Sequence, residues 1–316
     1  MTMDTPETIC VLTPVFNEEK CLPHFVRAVE KTLLQASGRQ RFRILFIDDG
    51  STDKSWSLIQ GICHNNPAFT GMRLSRNFGS HVALSAGFDH ADGAATCTLP
   101  CDLQDPPEIL LRFVEEWEHG AKIVWGKRHT RKDSLWRVLG SRTFAWMLRR
   151  IAMPRGSKFT TGSFLLVDRM VVDCLRRFRE HNRITFALVA LTGFDQAVVE
   201  YDRAARVAGT SSWNLPRIIK ILYDTLIGYS ITPIKLITYM GLGVCFASML
   251  LLCYLIANWM FGNPMQGWSS LMVMLSFFFG VLFLCIGVLG EYLQRIYIET
   301  MARPLYFVSD TTQDQG

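Results

Sequence analysis

Residues 42–53 read Phe42-Arg43-Ile44-Leu45-Phe46-Ile47-Asp48-Asp49-Gly50-Ser51-Thr52-Asp53. A short β-rich run, Phe42–Asp48, stops at two acids and a glycine, and a helical pattern over Lys54–His64 follows. The same unit recurs on both sides. Ile9–Phe16, Thr70–Leu74, Ala95–Leu99 and Ala121–Trp125 are further β-rich runs, and Glu18–Ala36, Ser80–Ala91 and Pro107–His119 are further helical patterns. Strand–helix alternation predicts an α/β fold, a mostly parallel sheet with helices on both faces. In such sheets ligands bind beyond the carboxyl ends of the strands.

The polar residues at those ends are therefore the candidate site. The first strand is followed by Pro14-Val15-Phe16-Asn17-Glu18-Glu19 and the second by Asp48-Asp49-Gly50-Ser51-Thr52-Asp53. Ser75-Arg76-Asn77-Phe78-Gly79 follows the third, Asp102-Leu103-Gln104-Asp105-Pro106-Pro107 the fourth, and Gly126-Lys127-Arg128 the fifth. Taken singly, each set has a plain structural use. Ser51, Thr52 and Asp53 are good turn and cap residues, Asp102 could cap a helix beginning near Pro106, and Asn17 or Glu18 could open the first helix. Their recurrence at five successive strand ends marks a site.

The residue types define its chemistry. Asp102, Gln104 and Asp105 offer oxygens to a hard divalent cation. Arg76 and Arg128 suit phosphate recognition. Neither G-x4-G-K-[ST] nor G-x-G-x-x-G occurs. Metal, diphosphate and an acidic edge point to a sugar nucleotide whose diphosphate leaves, with the cation neutralising charge on the leaving group. His81 opens a helix beside this edge, where a solvated or capping role is expected.

Composition adds a second chemistry. The 316 residues are 49% hydrophobic and 19% charged, below the roughly 25% of a soluble domain. No Asp, Glu, Lys or Arg occurs from Leu236 to Gly290, and the rest of the chain is near the soluble norm. This excludes a disordered chain, a coiled coil, a collagen-like chain and a purely soluble enzyme. Gly262–Gly267 divides the uncharged stretch at a turn. Two spans are expected, about 237–261 and 271–290, each near the 20 apolar residues that cross a bilayer. Trp259 and Trp268 flank the tip. Arg217, Lys220 and Lys235 precede the first span and Arg295 and Arg303 follow the second, so both ends are expected in the cytoplasm. Trp213–Tyr229 and Leu135–Ile151 read as interfacial basic amphipathic helices. Glu291 and Arg295 are spaced for an intrahelical pair. The expected division is a cytosolic domain (1–212), a juxtamembrane helix (213–235), two spans within 236–291 and a C-terminal tail (292–316).

The net charge of +5 is too weak for a nucleic-acid protein and fits work beside anionic lipid or on anionic substrates. Nine dispersed cysteines, with a single C-x3-C at Cys97 and Cys101, read as reduced thiols rather than a zinc site. The N-terminus carries no visible signal peptide.

PVFNEE, DDGSTD, LSRNFG, DLQDPPE and GKR, in this order, resemble the family 2 glycosyltransferases. With two C-terminal spans the chain is most similar to the polyprenyl-phosphate glycosyltransferases, above all the bactoprenol glucosyl group. That likeness continues in Arg206-Val207-Ala208-Gly209 and in Gly287–Tyr292, and it covers about residues 8–307. The resemblance implies a GT-A-like fold, a UDP-sugar donor, a polyprenyl (undecaprenyl) phosphate acceptor and residence in the inner membrane. It also implies a homotetramer. Pro14, Asn17, Glu18 and Asp49 would line the nucleoside pocket, with Asp49 near the uracil and Asp48 and Arg76 completing the donor set. Asp102 and Gln104 would hold Mg²⁺ or Mn²⁺, and Arg128 and Arg206 would face phosphates.

Three positions depart from the family pattern. Pro100 stands where relatives carry the first Asp of D-x-D-L-Q. Ser163, in Gly162-Ser163-Phe164, stands where relatives carry an Asp viewed as a catalytic base. Ser212, in Ser211-Ser212-Trp213, stands where a phosphate-binding lysine is frequent. Glucose is the nearest donor sugar, with N-acetylglucosamine, galactose and modified sugars open, and a non-catalytic sugar-nucleotide binding subunit is the alternative of another class. A processive polysaccharide synthase is disfavoured because no Q-x-x-R-W occurs.

Overall fold

The computed structural model describes residues 7–35, 41–129, 164–178, 180–181, 183–202, 232–260 and 267–312. The chain divides into two compact units, Met1–Trp213 with Arg303–Gly316, and Asn214–Ala302.

The first unit follows the alternation read from the sequence. Its elements are β1 (Thr8–Val15), α1 (Leu22–Val29, continuing as a wider turn over Glu30–Leu34), β2 (Arg41–Asp48), α2 (Ser55–Asn65), β3 (Phe69–Leu74), α3 (Ser80–His90), β4 (Ala95–Thr98), α4 (Ile109–Glu118) and β5 (Ile123–Arg128). Then come β6 (Leu165–Asp168), α5 (Arg169–Leu175), α6 (Thr185–Leu191) and β7 (Gln196–Tyr201). The sheet order is β7-β5-β6-β4-β1-β2-β3-β8, where β8 (Val308–Thr311) comes from the far end of the chain. The pairs β1–β2, β1–β4, β2–β3 and β5–β7 are parallel. β6 runs antiparallel between β4 and β5, and β8 runs antiparallel to β3. The other strands therefore all end on one edge.

Side chains alternate across this sheet with period two. Ile9, Val11, Ile44 and Phe46 enter one core with Leu22 and Phe25 of α1, Trp56 and Ile59 of α2, and Leu110 and Phe113 of α4. Leu12 and Ile47 face the other way, against α3. A Cβ on Gly87 would stand 3.0 Å from Ile47 and 3.1 Å from Leu12. Glycine at this position lets α3 lie close on the sheet.

Asp168 ties the antiparallel strand into the fold. Its side chain caps α5 through the Met170 N–H (2.9 Å) and accepts from Lys122 Nζ (2.8 Å) and Trp117 Nε1 (2.9 Å). Burial pushes its pKa up, but the Lys122 and Trp117 hydrogen bonds and the Met170 amide outweigh it and hold the group below the ordinary carboxylate value. Its stabilisation is therefore fully present above about pH 4 and is lost as pH falls through the lowered value. Asp168→Ala is expected to cost about 2 kcal/mol, from the lost cap and the unpaired indole. Denaturant melts at pH 7 check this, and the difference from wild type should shrink on acidification.

β8 falls within 292–316, where the sequence predicts only a C-terminal tail. It lies on the edge of β3, pairing Met72 with Thr311 and Arg73 with Asp310. Ser75 N donates to Phe307 O (2.9 Å), Gly71 N to Thr312 Oγ1 (2.9 Å) and the buried Trp56 Nε1 to Asp310 Oδ2 (3.1 Å).

The second unit holds two long helices that touch one another, α7 (Thr232–Met260) and α8 (Trp268–Thr300). α8 has 33 residues, about 50 Å at 1.5 Å per residue. Phe246, Met249 and Leu250 of α7 and Leu282, Phe283 and Ile286 of α8 are exposed. Among the described residues one helical stretch, Phe277–Thr300, is long and apolar enough to cross a membrane by length and composition. The Glu291–Arg295 pair forms at 3.8 Å. The segments 135–151 and 213–229 and the turn at 262–266 lie outside the described residues.

Candidate active site

Three of the polar strand ends are stitched together by hydrogen bonds. Asn17, at φ 55°, donates its N–H to Ser51 Oγ (2.9 Å). Its own Oδ1 accepts from Thr52 N (2.9 Å). Glu18 N donates to Ser55 Oγ (2.9 Å) and Glu19 N to Asp53 Oδ2 (3.2 Å), while Lys54 N returns to Glu19 Oε2 (3.2 Å). The loops after β1 and β2 are thus one unit. Asp49 joins the third loop, accepting from Phe78 N (2.8 Å) and Gly79 N (2.9 Å) with one oxygen each. Gly50, at φ 68°, makes the approach possible, because a Cβ there would lie 2.4 Å from the Arg76 carbonyl carbon.

The two acids after β2 are structural as well as electrostatic. Asp48 is fully buried, accepts from Ser51 N (3.2 Å) and pairs with Arg73 Nε at 3.2 Å. Arg73 also donates to Ser51 O (2.9 Å). Burial lifts both Asp48 and Asp49 above the ordinary carboxylate range, against the pull of Ser51 and Arg73 on the first and of the Phe78 and Gly79 amides on the second. Arg76 is exposed, its guanidinium 4.3 Å from the Phe78 ring centroid, and Pro14 and Glu18 are half-buried.

Asp102 follows β4 and is 9% exposed, with Oδ1 accepting from Gln104 N (3.2 Å). Leu103 between them sits at φ 52°, a tight left-handed turn. β1 and β4 are parallel neighbours, with Leu12 opposite Thr98, so the first and fourth strand ends lie side by side. The buried Cys101 thiol there is pushed well up by burial and further by Glu18, Cys21 and Asp102. Asp105 departs from the cation role read for it. It is fully buried, accepts from Tyr201 Oη (2.6 Å) and faces Arg128 Nη2 at 3.8 Å. His81 departs too. It is half-buried, its ring edge-on to Phe186 at 5.5 Å, and burial lowers its pKa. Ser163 and Arg206 lie outside the described residues.

The strand ends thus carry buried acids, an aromatic-stacked arginine and a second arginine on one edge. Residues 10–176 match the family described as glycosyl transferase family 2. The chain belongs to that family. It is 36% identical over 309 residues to the bactoprenol glucosyl transferase of Shigella phage SfV, covering 96% of this chain and 99% of that one. It is 34% identical over 318 residues to the undecaprenyl-phosphate 4-deoxy-4-formamido-L-arabinose transferase of Pectobacterium atrosepticum, covering 98% and 95%. A solved mannosyltransferase from Pyrobaculum calidifontis, in complex with GDP-Man and Mn²⁺, superposes at TM-score 0.48 with 15% identity, covering 91% of this chain and 87% of that one.

Among the described residues no three His, Cys, Asp or Glu side chains gather to hold a metal. Mg²⁺, however, is commonly held by one or two carboxylates together with substrate phosphates and water. Asp102, on a sharp turn at the strand end, fits that manner of binding, and Asp105 does not. The reading of single motifs missed Tyr201, Arg73, Ser55 and the β8 residues. The alternation in Ala197-Val198-Val199-Glu200-Tyr201 could have disclosed β7 and with it Tyr201. Four residues of β8 are too few for a pattern.

Proposed function

We propose that this glycosyltransferase moves a sugar, glucose first among the choices, from a UDP-sugar to undecaprenyl phosphate. The observation that carries the reading is the common carboxyl edge on which Asn17, Asp49, Asp102 and Arg128 converge at the ends of successive strands. Near full-length likeness to enzymes named for bactoprenol and undecaprenyl phosphate supports the lipid acceptor, and the apolar helices support its delivery from a membrane. The hairpin reading, with both ends of the spans cytoplasmic, puts the donor edge on the side where UDP-sugars are made.

The acceptor is a phosphate monoester whose second pKa is near 6, so it is mostly dianionic at pH 7. A phosphate oxygen attacks the anomeric carbon, the bond from that carbon to the UDP β-phosphate oxygen breaks, and UDP leaves with the electron pair. A nucleophile already deprotonated needs no general base, which accommodates Ser163 where relatives carry an acid. The protein's work is in-line positioning and stabilising the leaving diphosphate. Asn17 and Asp49 organise the donor loops; Arg128 and, by the family resemblance, Arg206 are assigned to phosphate charge. Asp102, with Gln104 beside it, would hold Mg²⁺ or Mn²⁺, which supplies neutralisation of the departing diphosphate. One displacement inverts the anomeric centre.

The purified, delipidated protein is expected to convert radiolabelled UDP-glucose into an organic-soluble, mild-acid-labile product only when undecaprenyl phosphate is added. UDP-N-acetylglucosamine and UDP-galactose run alongside assign the sugar. Labelled product without added or endogenous lipid phosphate, or none from any UDP-sugar, overturns the proposal.

A further inference from the structure

Arg128 and Tyr201 end two parallel strands and are register partners, so their side chains leave the sheet on the same face. Between them lies Asp105, a fully buried carboxylate. Tyr201 is 4% exposed and donates its hydroxyl to Asp105 Oδ1 at 2.6 Å; Arg128 Nη2 stands 3.8 Å from the same oxygen. The tyrosine ring is wedged edge-on against Phe164 at 5.3 Å, and Phe164 packs on Phe113 at 4.7 Å. His129 N closes the strand pair on Tyr201 O at 2.8 Å. Among the described residues Arg128 Nε is buried without a hydrogen-bond partner.

We propose that Asp105 and Tyr201 are positioning residues: a buried brace that holds the Arg128 guanidinium at the carboxyl edge with donors left for a substrate phosphate. The proposal rests on the glycosyl-transfer reading and adds to it the residues that place its arginine. A buried carboxylate must be paired to be tolerated. Tyr201 supplies one strong hydrogen bond and Arg128 the opposite charge. Burial and the adjacent Asp105 raise the Tyr201 pKa far beyond neutral pH, so the hydroxyl remains a donor. Arginine is long and rotamer-rich, and fixing its fork before substrate arrives removes an ordering cost from binding. Asp105 is thereby assigned to the arginine rather than to a cation.

A double-mutant cycle on the full-length, membrane-embedded protein tests this. Tyr201→Phe keeps the ring against Phe164 and removes only the hydroxyl. It is expected to lower kcat/KM for transfer about tenfold, and Asp105→Asn is expected to do the same or more. In the Arg128→Ala background Tyr201→Phe should add less than twofold, because the brace then has nothing to position. A purely structural hydroxyl would cost the same factor in both backgrounds, and that result overturns the proposal, as does wild-type transfer by Tyr201→Phe. The cycle is read in parallel on binding of UDP by calorimetry. Where the Arg128→Ala protein transfers too slowly to measure, the binding cycle decides by the same rule: coupling supports the brace, and its absence overturns it. Wild-type protein that binds UDP but makes no lipid-linked sugar overturns the functional reading instead.

Discussion

Asp102→Ala is expected to reduce sugar transfer at least a thousandfold while leaving the protein folded and in the membrane. Asp102 follows β4, held on its turn by the Gln104 amide. The other acid of the DLQD segment is occupied by Tyr201 and Arg128. On the proposed reading Asp102 alone carries the leaving-group role, and Pro100 offers no second carboxylate. A thousandfold loss is about 4 kcal/mol of transition-state stabilisation, the scale of removing one main charge-stabilising group. The Gln104 amide loses its 3.2 Å acceptor, and the melts read that structural cost separately from the loss of transfer. Transfer assays at saturating Mn²⁺, paired with thermal melts, separate the two. Near-normal transfer removes Asp102 from the leaving-group role.

Deleting residues 303–316 is expected to destabilise the sheet by about 3 kcal/mol, a fall of about 10 °C in melting midpoint. Trp56 is buried, and its indole N–H would lose the Asp310 carboxylate at 3.1 Å. Gly71 N would lose Thr312, and Ser75 N would lose Phe307. An edge strand stripped of its partner also exposes a row of unpaired amides. The loss reaches the donor loops, because Arg73 on β3 holds the buried Asp48 and Ser75 opens the loop that Asp49 clamps. The Michaelis constant for the donor is expected to rise before turnover falls. Asp310→Ala should reproduce about half the loss of stability. A melting midpoint unchanged by the deletion would show β8 to be dispensable.

Much of the donor edge was legible because local patterns coincide with it. The apolar runs at 42–48 and 9–16 can only be buried strands, and their polar ends sit where a parallel sheet exposes them. Both long helices were legible for the same kind of reason: no charge interrupts Leu236–Gly290. Individual roles were less legible. Asp102 and Asp105 are three residues apart and chemically identical, yet one turns to the edge and the other is sealed beneath an arginine. His81 looked polar and ended against Phe186.

The sequence by itself determined the strand–helix alternation, the polar edge, the apolar segment and the family, since each depends on periodicity or on residues close together in the chain. Only the tertiary structure decided that β6 inserts antiparallel between β4 and β5, that β8 returns to β3, and that Tyr201 meets Asp105. Those pairings join residues separated by 67, 241 and 96 positions. No local pattern encodes such a choice; it is made by the packing and hydrogen-bond satisfaction of the assembled sheet.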